Sequence, residues 1–209
     1  MPRTTDVGVH REYLLTPATL ITAVRTVASL ALSLLAAVEQ DLTLLVVALL
    51  VYWVGDIIDG SVARWRGCET RIGAVLDILC DRLNCAGFYL GLCWIEPDVV
   101  IPVGIYLTSF MVVDTFLSLA FLAWPVRSPN YFYAVDERIW RWNWSKPAKA
   151  VNSAVFAVFL LVDGLWWVAL AMAVLLLGLK VVSLSWLMRL GLPVPGGPVD
   201  LAPGAVGPR

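Results

Sequence analysis

Residues 42–64 read LTLLVVALLVYWVGDIIDGSVAR, and residues 73–81 read GAVLDILCD. The first stretch is a hydrophobic run, broken only by Thr43 as far as Gly55, and it then carries Asp56 and Asp59; the second carries Asp77 and Asp81. About 20 apolar residues in helical form cross a bilayer, so these segments predict membrane helices with carboxylates inside them. Each such charge costs at least ~2.5–3.5 kcal/mol at bilayer depth. Four anions also repel one another unless protons or cations intervene. Bound divalent metal is the natural compensation, which makes the stretch the functional site by default.

The spacing says how the carboxylates meet. Asp56 and Asp59 are separated by three positions and Asp77 and Asp81 by four, so each pair shares one helix face. Two such faces turned together form an oxygen cage. Hard oxygen ligands suit Mg²⁺, Mn²⁺ or Ca²⁺ rather than zinc. Two metals roughly 3.5–4 Å apart form the clamp used for displacement at phosphorus. Gly60 and Gly73 let a ligand or a neighbouring backbone come close. Arg64, one turn beyond Gly60, has donors suited to a phosphate or to one of the acids.

Composition agrees with a membrane setting. The chain has 209 residues, of which 60% are hydrophobic, and a mean hydropathy of +0.81; soluble domains average about 45–50% apolar. A net charge of −1 gives no case for nucleic acid. Cys68, Cys80, Cys85 and Cys93 form no Cys-x-x-Cys pair and read as small buried hydrophobes. His10, the single histidine, lies in a polar N-terminal stretch, which disfavours histidine-based catalysis.

The expected fold is an all-α polytopic membrane protein with six transmembrane helices, over about 16–38, 42–64, 72–95, 98–124, 147–163 and 165–190. The metal site is expected between helices 2 and 3, near the cytoplasmic face. Connections alternate in charge. Three lack Lys and Arg and carry Glu39 and Asp41, Glu96 and Asp98, and Asp163. The others carry Arg64, Arg66 and Arg71, or Arg127, Arg138, Arg141 and Lys146, with Lys149 just inside the next helix; Arg3, Arg11 and Arg189 mark the two ends. By the positive-inside rule both termini and the aspartates lie in the cytoplasm, at the cell (inner) membrane. Residues 1–15 are expected to be a cytoplasmic segment without a cleaved signal peptide. Residues 16–190 form the catalytic domain, and the Pro/Gly-rich 191–209 a disordered tail. Arg138–Trp144 alternates basic and aromatic residues and is expected to lie on anionic lipid.

The pattern Asp-x2-Asp-Gly-x2-Ala-Arg-x8-Gly-x3-Asp-x3-Asp, met here by Asp56, Asp59, Gly60, Ala63, Arg64, Gly73, Asp77 and Asp81, resembles the signature of the CDP-alcohol phosphotransferase (phosphatidyltransferase) family. Thr70, three residues before Gly73, and Thr16-Pro17-Ala18-Thr19 followed by Thr22 and Arg25 are similar to further family features. The resemblance implies transfer of a phosphatidyl-type group from a CDP-linked donor, CDP-diacylglycerol, to an alcohol acceptor, with release of CMP in phospholipid biosynthesis. It implies that Asp56, Asp59, Asp77 and Asp81 bind Mg²⁺ or Mn²⁺, two ions in all, and that Asp81 is also the general base. It places Gly60, Arg64, Thr70 and Thr16, Pro17, Ala18 and Thr19 along the CDP site, and it implies a homodimer. Leu76-Asp77-Ile78-Leu79-Cys80-Asp81-Arg82 lacks the Pro and Lys frequent in enzymes acting on glycerol 3-phosphate; Cys80-Asp81-Arg82 leans toward inositol phosphate, and glycerol 3-phosphate, inositol phosphate and phosphatidylglycerol all stay open as acceptors.

Other readings of the same residues exist. The aspartates could staple helices through Arg25, Arg64 and Arg82. They could form the relay of a proton- or cation-coupled transporter. An aspartate-rich membrane prenyltransferase would use similar metal chemistry. Asp114, in the fourth span, is expected to pair with Lys180 or Arg25 or to touch substrate. Arg138, Arg141, Lys146 and Lys149 could bind a phosphate on the acceptor, although positive-inside anchoring accounts for them equally.

Overall fold

A computed structural model describes residues 12–162 and 164–193. The expectations for Arg3, His10, Arg11, Asp163 and residues 194–209 lie outside the described residues. Among those described, the chain is helical and has no strand. Five helices are long and apolar enough to cross a membrane: α1 (Pro17–Glu39), α2 (Leu42–Trp65), α3 (Arg71–Ile95), α4 (Pro97–Ala123) and, last in the chain, α7 (Trp166–Leu190). Between α4 and α7 lie a 3₁₀ segment (Pro129–Ala134), a short helix α5 (Glu137–Asn143) and α6 (146–161).

The boundaries follow from local chemistry. Thr16 caps α1 reciprocally with Thr19, and Pro17 sits where no backbone donor is needed. Asp41 caps α2 by accepting from Leu44 N–H, and Thr70 caps α3 by accepting from Gly73 N–H. α1 stops at Gln40, whose left-handed backbone (φ 54°) turns the chain into α2.

The expected fifth span, 147–163, appears as α6, and it is not among the helices long enough to cross. Pro147 stands in its first turn and Gly164, at φ 77°, lies just past its end. α4 and α6 each contain a π-helical stretch, Ser109–Asp114 in α4 and Ala150–Val155 in α6.

Burial is inverted relative to a soluble bundle. The inward face of α1 is Ala18, Thr19, Thr22, Arg25, Thr26, Ser29, Ser33 and Ala36, while Leu20, Val24, Val27 and Leu34 point outward. Small and polar residues let helices approach and pair where lipid already satisfies the apolar side chains. Ser29 Oγ donates to the Ala48 carbonyl across to α2 at 3.0 Å, and Asn84 Nδ2 of α3 donates to Thr26 Oγ1 at 3.1 Å. α1 therefore packs along both α2 and α3, the two helices that carry the aspartates. The other half is held by aromatic packing: Tyr106 of α4 stacks on Phe156 of α6 at 4.1 Å and meets Tyr89 of α3 edge-on at 5.1 Å.

The Arg138–Trp144 stretch, expected to lie on anionic lipid, has a side that faces the protein as well. It is α5, with Ile139 and Asn143 fully buried. Asn143 Nδ2 donates to Ser183 Oγ of α7 at 2.9 Å, and Arg138 stacks over Trp186 at 4.3 Å. Arg141 stays outside, paired with Glu137.

Candidate active site

Asp56 and Asp59 come from the last three turns of α2, and Asp77 and Asp81 from the second and third turns of α3. Antiparallel packing brings the two faces opposite each other. One carboxylate oxygen from each of Asp56, Asp59 and Asp77 lies within 4.8 Å of the others, close enough to share a cation. Asp81 joins the group through Arg25 of α1, whose Nη2 donates to Asp77 at 2.6 Å, Asp81 at 3.0 Å and Asp56 at 3.3 Å. Arg25 Nε donates to Asp59 Oδ2 at 2.7 Å, and Thr22 Oγ1 donates to the same oxygen at 2.7 Å. Asp59 is buried, while Asp56, Asp77 and Asp81 remain partly open.

This donor set fits hard divalent cations. It is all carboxylate oxygen, it converges, and three of its members are accessible. The pairing with Arg25 also realises part of the stapling alternative. Arg64 and Arg82 do not share in it: among the described residues Arg64 makes no ion pair with the aspartates, and Arg82 turns to Asp114.

The carboxylates stand between two cavities. A narrow cleft of about 90 Å³ is lined by Thr16, Ala18, Thr19, Thr22, Asp59, Gly60, Arg64, Thr70, Gly73 and Asp77. Of the residues expected along a nucleotide, Thr16, Ala18, Thr19, Gly60, Arg64 and Thr70 are there; Pro17 is not among the lining residues and serves the first turn of α1. The N-termini of α1 and α3 both border the cleft, and their dipoles favour an anion there, although Thr16, Thr70 and Glu12 already take the Thr19, Gly73 and Ile72 N–H groups. Gly60 leaves room for the Arg64 guanidinium, since a Cβ there would meet Nη1 at 3.3 Å.

Sequence reasoning missed the far wall of the cleft, which is Arg127, Ser128 and Asn130. That segment is clasped by Arg71 Nη2, which donates to the Leu122 and Trp124 carbonyls, and by Tyr131, which donates to Glu69 Oε2 at 2.8 Å. The bond to Glu69 raises the Tyr131 phenol above its ordinary range.

On the other side is a chamber of about 430 Å³, within the roughly 300–1,000 Å³ usual for small-molecule sites. Asp56, Asp77 and Asp81 face it, together with Arg82, Ser109, Asn143, Lys149 and Lys180. Of the four basic residues considered for an acceptor phosphate, only Lys149 lines it. Lys146 is absent from the wall, and Arg138 and Arg141 are engaged at Trp186 and Glu137. Arg82 and Lys180 take their place. Both pair with Asp114, Lys180 at 2.6 Å, and Lys180 also donates to Asn143 Oδ1 at 2.9 Å. Asp114 thus meets Lys180, one of its two expected partners, and not Arg25. The two cations around one anion leave a net positive wall. The signal for this was an intramembrane Lys in the last span and an intramembrane Asp in the fourth, each needing a partner.

Similarity to characterised proteins is concentrated in a short stretch. The chain is 51% identical over 39 residues to the phosphatidylinositol phosphate synthase of Mycobacterium tuberculosis (strain ATCC 25618 / H37Rv), a match covering 19% of this chain and 18% of that protein. It is 38% identical over 65 residues to the phosphatidylinositol phosphate synthase of Mycolicibacterium smegmatis, covering 28% of this chain and 29% of the relative. The aligned portion thus spans less than a third of either relative's length. No solved structure matches the chain. The family model for CDP-alcohol phosphatidyltransferase matches residues 15–184. That span takes in the aspartate cage, both cavities and the helices that build them, and the chain belongs to the CDP-alcohol phosphatidyltransferase family.

Proposed function

We propose that this protein transfers a phosphatidyl group from CDP-diacylglycerol to a phosphorylated polyol, releasing CMP. The observation that carries the reading is the position of the aspartates as a partition between an anion-favouring cleft and a chamber with a cationic wall. A donor in the cleft and an acceptor in the chamber would meet at the carboxylates.

In this reading Asp56, Asp59, Asp77 and Asp81 hold two Mg²⁺ or Mn²⁺ ions, which supply positive charge against the diphosphate when bound. Thr16, Thr19, Thr70, Gly60 and Arg64 hold the nucleotide diphosphate, aided by the α1 and α3 N-termini. Asp81, on the chamber side, accepts the proton of the acceptor hydroxyl as its oxygen bonds to the lipid-bearing phosphorus. The bond from that phosphorus to the CMP oxygen breaks, and CMP leaves through the cleft. Lys149, with the Arg82–Asp114–Lys180 group behind it, offers charge to a phosphate on the acceptor. Inositol phosphate is the favoured acceptor, on the Cys80-Asp81-Arg82 triplet and the names of the relatives; glycerol 3-phosphate is the alternative.

The remaining scheme belongs to the same proposal. Residues 16–190 form the catalytic domain, with 1–15 and 191–209 outside it. α6 serves as a sixth, short crossing, the aspartates face the cytoplasm at the inner membrane, and the protein is a homodimer.

Purified protein given CDP-diacylglycerol, Mg²⁺ and a panel of alcohols tests the reading. The expected result is CMP release with inositol phosphate and little with free inositol. EDTA should stop it, whereas a proton-coupled transporter would be indifferent. Asp81→Asn should reduce turnover at least ~100-fold, the scale of a lost general base, with the protein still folded. Normal turnover by that variant removes Asp81 from the base role.

A further inference from the structure

Arg25 touches all four aspartates. It lies in the middle of α1, is 4% exposed, and its guanidinium is 5.4 Å from the Tyr52 ring. Its aliphatic stem crosses α2 at Gly55, where a Cβ would sit 2.6 Å from Arg25 Cβ and 2.7 Å from Cδ. Neither atom is the free end of a flexible chain, so only glycine admits the stem there. α2 is thus shaped to bring this cation to the carboxylates.

The grip has two unequal parts. Nε makes one bond, to the buried Asp59, which Thr22 also holds. Nη2 faces three carboxylates although it has only two hydrogens, and Nη1 is buried with no hydrogen-bond partner. A single nitrogen surrounded by three converging carboxylates, two of them at 3.0 Å or less, is placed as a cation would be. The oversubscribed Nη2 and the unsatisfied Nη1 make this half of the guanidinium the easier to move. Pivoting of the guanidinium about its Nε–H···Asp59 bond, through the Cγ–Cδ and Cδ–Nε torsions together, carries Nη2 away from Asp56, Asp77 and Asp81 while Nε stays on Asp59.

We propose that Arg25 is a resident counter-ion: it holds the four aspartates together in the metal-free protein and yields Asp56, Asp77 and Asp81 to divalent cations while keeping Asp59. The proposal rests on the divalent-metal reading above. Arg25 is accordingly a positioning residue. Four carboxylates and one guanidinium carry a net charge of −3, which two divalent ions turn to +1 against an incoming diphosphate. Without Arg25 the metal-free cage would carry −4 at close range.

Thermal unfolding and Mn²⁺ binding followed by electron paramagnetic resonance, both in detergent, test this without turnover. Arg25→Met should unfold at lower temperature than wild type in EDTA, and Mn²⁺ should raise its midpoint by more degrees than it raises the wild type's. Its affinity for Mn²⁺ should increase on the order of tenfold, because a competing charge is gone. Should Arg25→Met not fold, Gly55→Ala, which pushes the stem aside while keeping the charge, should show the same larger Mn²⁺ gain. Equal Mn²⁺ gains and equal affinities in wild type and variant overturn the role of Arg25 alone. A wild type that takes up no Mn²⁺ overturns the metal reading beneath it.

Discussion

At the scale of single residues, the cost of a buried charge depends on how many partners remain when one is removed. Among the described residues, Asp114 is the only acid paired with the two buried cations Arg82 and Lys180. Asp114→Asn leaves both facing each other, and removal of one partner from a buried pair costs roughly 3–5 kcal/mol. Lys180→Met leaves Asp114 with Arg82, and Arg82 keeps Thr115 and Ser118, so its cost should be nearer the ~1–3 kcal/mol of an unsatisfied group, here Asn143 Oδ1. Melting in detergent should therefore rank Asp114→Asn well below Lys180→Met; the reverse order would mean Asp114 is not the keystone of the network. The four clustered aspartates were legible in the sequence because charge at bilayer depth demands an explanation and their spacing fixes shared faces. Arg25 was visible as an intramembrane cation, but which acids it meets depends on the rotation of α1 against α2 and on the glycine at 55. Neither is written in the local pattern. The same holds for Arg127, Ser128 and Asn130, which reach the cleft only because Arg71 and Glu69 clasp their segment.

At the scale of elements, the long spans were readable from unbroken apolar runs, and their ends from Thr16, Asp41 and Thr70. The π-helical stretches were not, because one extra residue in a turn leaves the composition unchanged. Both border the chamber: Ser109, Phe110 and Asp114 from α4, and Ala150, Asn152, Ser153 and Ala154 from α6. Such stretches recur at functional sites, where they re-aim side chains. In α4 the effect is to present Phe110 to the Arg82 guanidinium, 3.7 Å from the ring centre, and Asp114 to Arg82 and Lys180 together. Deleting Val112, which faces outward, should remove the extra residue and restore a regular α-helix, in which Phe110 and Asp114 stand three positions apart and about 60° apart around the axis. Phe110 and Asp114 could then no longer both reach Arg82. The expected outcome is a protein that still inserts and still binds CMP in the cleft but loses transfer to the acceptor. Full transfer by the deletion variant would show that the π stretch is incidental. In Arg138–Trp144 the basic and aromatic alternation showed the outward side, with Arg141 and Trp142 exposed, but not the inward one, which Ile139 and Asn143, four residues apart, provide.

At the scale of the whole molecule, the outward apolar faces and inward polar faces set the protein in a bilayer, and the remaining variable is its direction. The proposed orientation, argued from the charge alternation of the connections, puts the α2–α3 turn, and with it the aspartates, on the cytoplasmic side. Two native thiols report on this. Cys68 precedes α3, borders the cleft and is partly exposed; Cys93 lies near the other end of α3 and is also partly exposed. From Arg71, three residues past Cys68, to Cys93 the helix rises roughly 33 Å at 1.5 Å per residue, more than the ~30 Å hydrocarbon core. Variants retaining only Cys68 or only Cys93, with serine or alanine elsewhere, can be challenged with a membrane-impermeant maleimide in vesicles of known sidedness. Cys68 should react in inside-out vesicles and be silent in right-side-out ones, and Cys93 should do the opposite. Detergent should equalise the two preparations, which controls for a thiol that is merely unreactive. CMP added beforehand should slow labelling of Cys68 but not of Cys93, because only Cys68 borders the cleft. Cys68 labelled from the outside would reverse the orientation, and it would place the cleft proposed for the nucleotide on the side away from the cytoplasm.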